Sequence, residues 1–156
     1  MSKVERIELY HVSIPLDRPF MPSWIPGYPQ THNRFTLARI FTSDGLEGVA
    51  TGSAFARERE GLGDLIGGYL IGVDAADMDT VRQRLREASY LGWRNWWLEN
   101  AFWDLRGKME GKPVYKLLQQ DEETVHRAPV YASSGEVRPM AQRQPWLDEV
   151  RRMGIQ

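Results

Sequence analysis

Apolar positions alternate near the start of the chain and then regroup at helical spacing. Within 4–16, Ile7 and Leu9 fall on one parity while Tyr10, Val12, Ile14 and Leu16 fall on the other, which predicts a strand apolar on both faces and ended by Pro15 and Pro19. The pattern breaks over 20–34, where Pro22, Pro26, Gly27 and Pro29 precede the polar run Gln30-Thr31-His32-Asn33, and a long loop is expected. Strand-like runs return over 35–42 and 47–55. Between them Ser43-Asp44-Gly45 supplies hairpin chemistry, because both central turn positions favour positive φ. The expectation is a three-stranded antiparallel meander.

From Leu62 onward the spacing becomes helical. Leu62, Leu65, Ile66, Tyr69 and Leu70 predict a helix over 57–70, although Gly61, Gly63, Gly67 and Gly68 each weaken it by up to about 1 kcal/mol relative to Ala. Asp77 or Asp79 can cap a second helix to about residue 90, with Met78, Val81, Leu85 and Ala88 inward and Arg82, Arg84 and Arg86 outward. A third helix over 96–109 carries Leu98, Ala101, Phe102, Leu105 and Met109 on one face and Trp96, Trp103 and Gly107 on another. Burial of both faces is predicted, one in the local core and one against a second body. Gly111-Lys112-Pro113 stops it, and Pro113 opens a short helix to 118. A strand over 128–132, a loop over 133–144 and a helix from Pro145 to 153 follow a finished α+β unit, and read as the first βα step of another domain. The boundary is placed between 124 and 125.

Composition narrows the function classes. In 156 residues, 42% hydrophobic and 26% charged side chains describe an ordinary globular chain, and 20 Lys+Arg against 21 Asp+Glu leave no cationic surplus for displacing counterions from nucleic acid. With no cysteine there is no disulfide, thiolate metal site or cysteine nucleophile. The charged start Met1-Ser2-Lys3-Val4-Glu5-Arg6 is unlike a secretory signal, and no apolar run approaches the ~20 residues of a membrane span, so a cytoplasmic protein with no membrane partner is expected.

Most candidate chemistry dissolves on inspection. Gly61, Gly63 and Gly67 lack dinucleotide-loop spacing, and His11, His32 and His126 have no helical partner for a metal. Asp77, Asp79 and Glu87 offset the arginine run, which reads as a solvated face. Trp93, Trp96, Trp97 and Trp103 read as core or domain interface, and Asp104 with Lys108 as an ordinary i,i+4 pair. What remains is the long loop and the end of the third strand, which enter and leave adjacent strands and so can gather Trp24, Tyr28, His32 and Phe55. Aromatics on a proline-stiffened loop suit a lid over a pocket; the other reading is a loop packed on its own sheet.

Three motifs carry a resemblance: Ile40-Phe41-Thr42-Ser43-Asp44-Gly45-Leu46-Glu47-Gly48, Glu99-Asn100-Ala101-Phe102-Trp103-Asp104-Leu105-Arg106-Gly107-Lys108, and Gly111-Lys112-Pro113-Val114-Tyr115-Lys116-Leu117-Leu118. In order and interval, residues 4–153 resemble the N-terminal capping domain of the mandelate racemase and muconate-lactonizing group of the enolase superfamily. The resemblance implies an α+β cap, a three-stranded meander followed by a helical bundle, over 1–124, and the start of a TIM-like (β/α) barrel over 125–156, with 130–134 as its first strand and 146–153 as its first helix. It further implies a Mg²⁺-dependent racemase, dehydratase or cycloisomerase that abstracts the proton α to the carboxylate of an acid sugar or related small acid, using a Lys or His base. Trp24, Tyr28, His32 and Phe55 would sit on the specificity loops, with Ser133 and Ser134 as minor substrate contacts at the C-terminal end of the first barrel strand. The partners implied are a small carboxylate substrate, the protein's own C-terminal barrel and, at full length, further copies in a homo-oligomer.

In this family the catalytic lysines, metal carboxylates and opposing base lie beyond the position of Gln156, so residues 1–156 are expected to hold neither catalytic residues nor the magnesium. Two departures are visible: Gly48-Val49-Ala50-Thr51-Gly52-Ser53 stands where relatives commonly have Gly-x-Gly-Glu, and Gln119-Gln120 replaces a glycine pair. The competing reading is a stand-alone capping-domain remnant serving as a non-enzymatic structural or binding module.

Overall fold

The computed structural model describes residues 1–52, 61–91, 95–119 and 129–155. Two compact units are present, Met1–Val12 with Arg34–Glu122 and Ser13–Asn33 with Glu123–Gln156.

The first unit is built on an antiparallel sheet in the order β1 (Val4–Phe20), β2 (Gln30–Thr42), β3 (Glu47–Gly52), with the distal parts of β1 and β2 running into the second unit. Alternation in β2 buries Thr36, Ala38, Ile40 and Thr42, and β2 pairs β3 from Thr36↔Gly52 to Phe41↔Glu47. The Asp-Gly turn forms as its sequence predicts, with Gly45 at φ 84 and the Gly45 amide donating to Thr42 O at 2.9 Å. Its Asp44 accepts from the hydroxyls of Thr42 and of Ser2, at 2.5 and 2.7 Å, and these bonds hold the carboxyl below its ordinary range. On the exposed side of the sheet Arg39 Nε donates to Glu47 at 2.6 Å and lowers that carboxyl likewise.

Helices α1 (Leu62–Leu70), α2 (Met78–Leu91), α3 (Glu99–Glu110) and α4 (Val114–Leu118) follow. Of the two candidate caps, Asp77 serves α2, accepting from the Thr80 amide at 3.1 Å and the Thr80 hydroxyl at 2.6 Å. A 3₁₀ turn, Asn95–Leu98, leads into α3, so the α-helix begins three residues later than the apolar spacing predicts. Leu98, Ala101, Phe102 and Leu105 are buried with Ala38, Ile40, Ala50, Ile66, Val81 and Leu85 in one core. Close approach of α3 to β3 needs Gly48, since a Cβ there would meet the Ala101 carbonyl oxygen and, at 2.6 Å, Leu105 Cγ.

The face that carries Trp103 and Gly107, expected to meet a second body, also makes contacts inside its own unit. Trp103 is half-buried against the unit's own core, donates its indole N–H to Glu99 at 3.0 Å and has the guanidinium groups of Arg82 and Arg106 at 5.6 and 5.5 Å from its ring centre. Gly107 is crowded from within, by the Lys112 carbonyl 2.8 Å from where a Cβ would sit. Asp104 and Lys108 also exceed an i,i+4 pair: the Asp104 carboxylate accepts from the Val49 amide at 3.0 Å, and Lys108 Nζ donates to Glu47 O at 2.6 Å. Both close the outer edge of β3. Trp97 covers Gly52 and Trp96 is exposed, while Trp93 and the predicted strand and helix residues 53–60 lie outside the described residues.

In the second unit β1 continues to Phe20 and β2 begins at Gln30, so the prolines do not end the first strand and 30–34 is strand, not loop. β1 is an edge strand, the place in a sheet where prolines such as Pro15 and Pro19 are tolerated. The expected barrel strand is not assigned: the described residues 129–135 have no regular structure, and Glu136 forms an isolated bridge with Pro22. A strand needs a hydrogen-bonded neighbour, and no other strand pairs with this segment among the described residues. The last helix, α5 (Met140–Arg152), starts five residues before Pro145, with Pro139 rather than Pro145 at its entrance.

Candidate functional site

The β1–β2 hairpin of the second unit ends in a loop of nine residues, 21–29, whose root is held by main-chain bonds. The Ser23 amide donates to Gly135 O and the Val137 amide to Met21 O, each at 2.8 Å, on either side of the Pro22–Glu136 bridge. Pro22 fits this buried position because it has no N–H to satisfy. Trp24 packs on Phe20, ring centroids 5.8 Å apart, and over Gly135, where a Cβ would meet its ring at 2.8 Å. Gly135 also has φ +47, so both backbone and space require glycine. Even so, 63% of Trp24 remains exposed, and Tyr28 is exposed as well.

Beside the loop root the hairpin forms a cleft of about 620 Å³. Leu16, Pro19 and Phe20 give it an apolar wall. Asp17, Arg18, Gln30, His32, Asn33 and Glu136 supply the polar groups. His32 Nδ1 lies 3.0 Å from the Thr31 hydroxyl, and the side-chain amides of Gln30 and Asn33 have no hydrogen-bond partner among the described residues. At one end Glu136, only 4% exposed, receives Arg18 through two 3.2 Å bonds and Arg138 Nη2 at 2.9 Å. The Arg138 guanidinium lies 5.2 Å from the centre of the Trp146 ring, with its Nε buried and unpartnered.

Of the four residues assigned to the specificity loops, His32 lines the cleft, whereas Trp24 and Tyr28 stand outside it and Phe55 lies outside the described residues. Ser133 is exposed, Ser134 is half-buried, and neither lines the cleft. Sequence reasoning missed Arg18, Glu136 and Arg138. Arg18 and Glu136 are 118 positions apart, so no local spacing could pair them. Among the described residues no group of three or more His, Cys, Asp or Glu side chains could hold a metal ion, and no helix is long and apolar enough to cross a membrane.

Residues 8–119 match the family model of the mandelate racemase / muconate lactonizing enzyme N-terminal domain. A cis-3-hydroxy-L-proline dehydratase from Roseibium aggregatum is 32% identical over 140 residues, which cover 81% of this chain but only 37% of that enzyme. A dipeptide epimerase from Methylococcus capsulatus, solved with Mg and the dipeptide L-Arg-D-Lys, superposes with a TM-score of 0.78 at 20% identity over 98% of this chain and 44% of its own. A mandelate racemase/muconate lactonizing enzyme from Roseovarius nubinhibens gives 0.75 at 24% identity, covering 99% and 43%. The three-stranded antiparallel sheet followed by a helical bundle is therefore an enolase-like capping domain, carried here with the start of a barrel. The chain belongs to the mandelate racemase / muconate lactonizing enzyme family of the enolase superfamily.

Proposed function

We propose that this chain is the cap, residues 1–124, and the first barrel strand and helix, residues 125–156, of a Mg²⁺-dependent enzyme that abstracts the proton α to the carboxylate of an acid sugar or related small acid. The observation that carries the reading is the family match over residues 8–119, and the 32% identity to a dehydratase supports it. When bound, magnesium would supply charge stabilisation to the ene-diolate. The described residues do not fit that ion, so no step through it is assigned to them. Their part is substrate selection and exclusion of water. Trp24 and Tyr28 present exposed rings on a stiff loop, and His32 faces a cleft of a size suited to a small molecule. Ser133 and Ser134 are the further polar contacts in this reading.

The test begins with the coding sequence beyond Gln156, which should encode a lysine pair followed by spaced Asp/Glu ligands. The complete protein, loaded with Mg²⁺ in D₂O, should then exchange the α-proton of at least one member of a panel of acid sugars and hydroxy acids. A reading frame that closes at Gln156, or a complete protein that exchanges none of them, removes the enzymatic reading and leaves the non-enzymatic module.

A further inference from the structure

The loop that carries Trp24 and Tyr28 has the composition of a lid, yet its root is tied down by main-chain hydrogen bonds. Two main-chain bonds of 2.8 Å tie Met21 and Ser23 to Val137 and Gly135, and the Trp24 ring closes over Gly135. Between those bonds the carboxylate of Glu136 is almost fully buried, where an anion is tolerated only when paired. It is paired twice, with Arg18 of β1 and with Arg138 at the entrance to α5. Arg138 is itself committed: it lies over the Trp146 ring and leaves its Nε buried without a partner while Nη2 remains on Glu136. A buried donor left unpaired is costly, so the packing that holds Arg138 fixes Glu136 rather than serving Arg138. Arg18 is the opposite case. Its side chain is 66% exposed, and two of its five donors are used on Glu136. The free donors belong to a guanidinium that lines the cleft with His32 and Asn33.

We infer that Glu136 is the positioning residue of the specificity loop: it latches the root of residues 21–29 to the segment ahead of α5 and sets the Arg18 guanidinium at the cleft, so that this wall is formed before substrate arrives. The first element of the inference concerns the ligand-free protein. Its consequence for substrate rests on the proposed function.

Amide hydrogen exchange on the complete, ligand-free protein tests the latch, because exchange of a bonded amide reports local opening. In Glu136→Gln the Ser23 and Val137 amides should exchange at least tenfold faster while those of Phe102 and Leu105 are unchanged. Arg18→Ala, a change at an exposed side chain that leaves the fold intact, should reproduce the effect. The double variant should add nothing to it, as expected for two partners of one interaction. Unchanged Ser23 and Val137 exchange in Arg18→Ala, or additive acceleration in the double variant, overturns the latch whatever the protein catalyses. With a turned-over substrate in hand, Glu136→Gln should raise KM about tenfold with kcat nearly constant, the signature of lost binding geometry. An unaltered KM accompanied only by a lower melting temperature would reduce Glu136 to a structural role. If no substrate is found but exchange behaves as expected, the latch stands and the enzymatic reading is the part that fails.

Discussion

Two glycines of this chain behave oppositely for reasons visible atom by atom. Gly48 lets α3 lie directly on β3, and Gly48→Ala would drive a methyl into the Ala101 carbonyl and Leu105, at a cost of at least the 1–3 kcal/mol typical of overpacking. Gly67 lies inside α1 with open space where a Cβ would stand, so Gly67→Ala should stabilise by about 0.5–1 kcal/mol through helix propensity alone. Urea denaturation of both variants reads the contrast. Asp44 makes a third case at this scale. Its carboxyl is lowered in the fold by the hydroxyls of Thr42 and then Ser2, so its contribution is fully present above the unfolded value, near 3.9, and is lost as pH falls through the lower folded value. Asp44→Asn should therefore lower the melting temperature at neutral pH and flatten its fall below pH ~4.

At the scale of elements, α3 is the hub of the first unit. Phe102 is fully buried in its core, and Phe102→Ala should cost about 3–5 kcal/mol in equilibrium unfolding. The outer face of α3 has a different task. Asp104 and Lys108 bond the free N–H and C=O groups of β3, closing an edge that would otherwise invite a strand from another chain. Asp104→Ala should cost only about 1 kcal/mol, because the Val49 amide can turn to water, but should introduce concentration-dependent association in sedimentation velocity. Reading these two residues as an i,i+4 pair was correct as far as helical spacing reaches; their bonds to β3 join residues 55 and 61 positions apart.

For the whole molecule, the division into two units follows the hairpin rather than chain order, since β1 and β2 contribute to both. The same strands that build the cap's sheet thus carry the loop 21–29. On the proposed function, Trp24→Ala in the complete protein should shift the preference among substrates while lowering the melting temperature little, because most of the ring is already in solvent. A loss of several kcal/mol with unchanged preference would make Trp24 a packing residue only.

The meander, its Asp-Gly turn, the inward face of α3 and its stop at Gly111 were all legible in the sequence, because each depends on contacts within one turn or on the period of one element. The resemblance to the capping domain rested on those same local motifs. Other features depended on pairing. Pro15 and Pro19 look like strand breakers until β1 is known to be an edge, and 30–34 looks like loop until β2 finds β1 beside it. The helix α5 begins at Met140 because Pro139, not Pro145, occupies its entrance. Above all, the ion-paired Glu136, joined to Arg18 across 118 positions, has no local signature at all. Local periodicity and turn chemistry determined the meander and the helices of the first unit, whereas only the tertiary structure could decide how far β1 and β2 extend, whether 129–135 pairs as a strand and which charges meet, since strand pairing and a buried ion pair are selected by the three-dimensional approach of segments that the sequence keeps far apart.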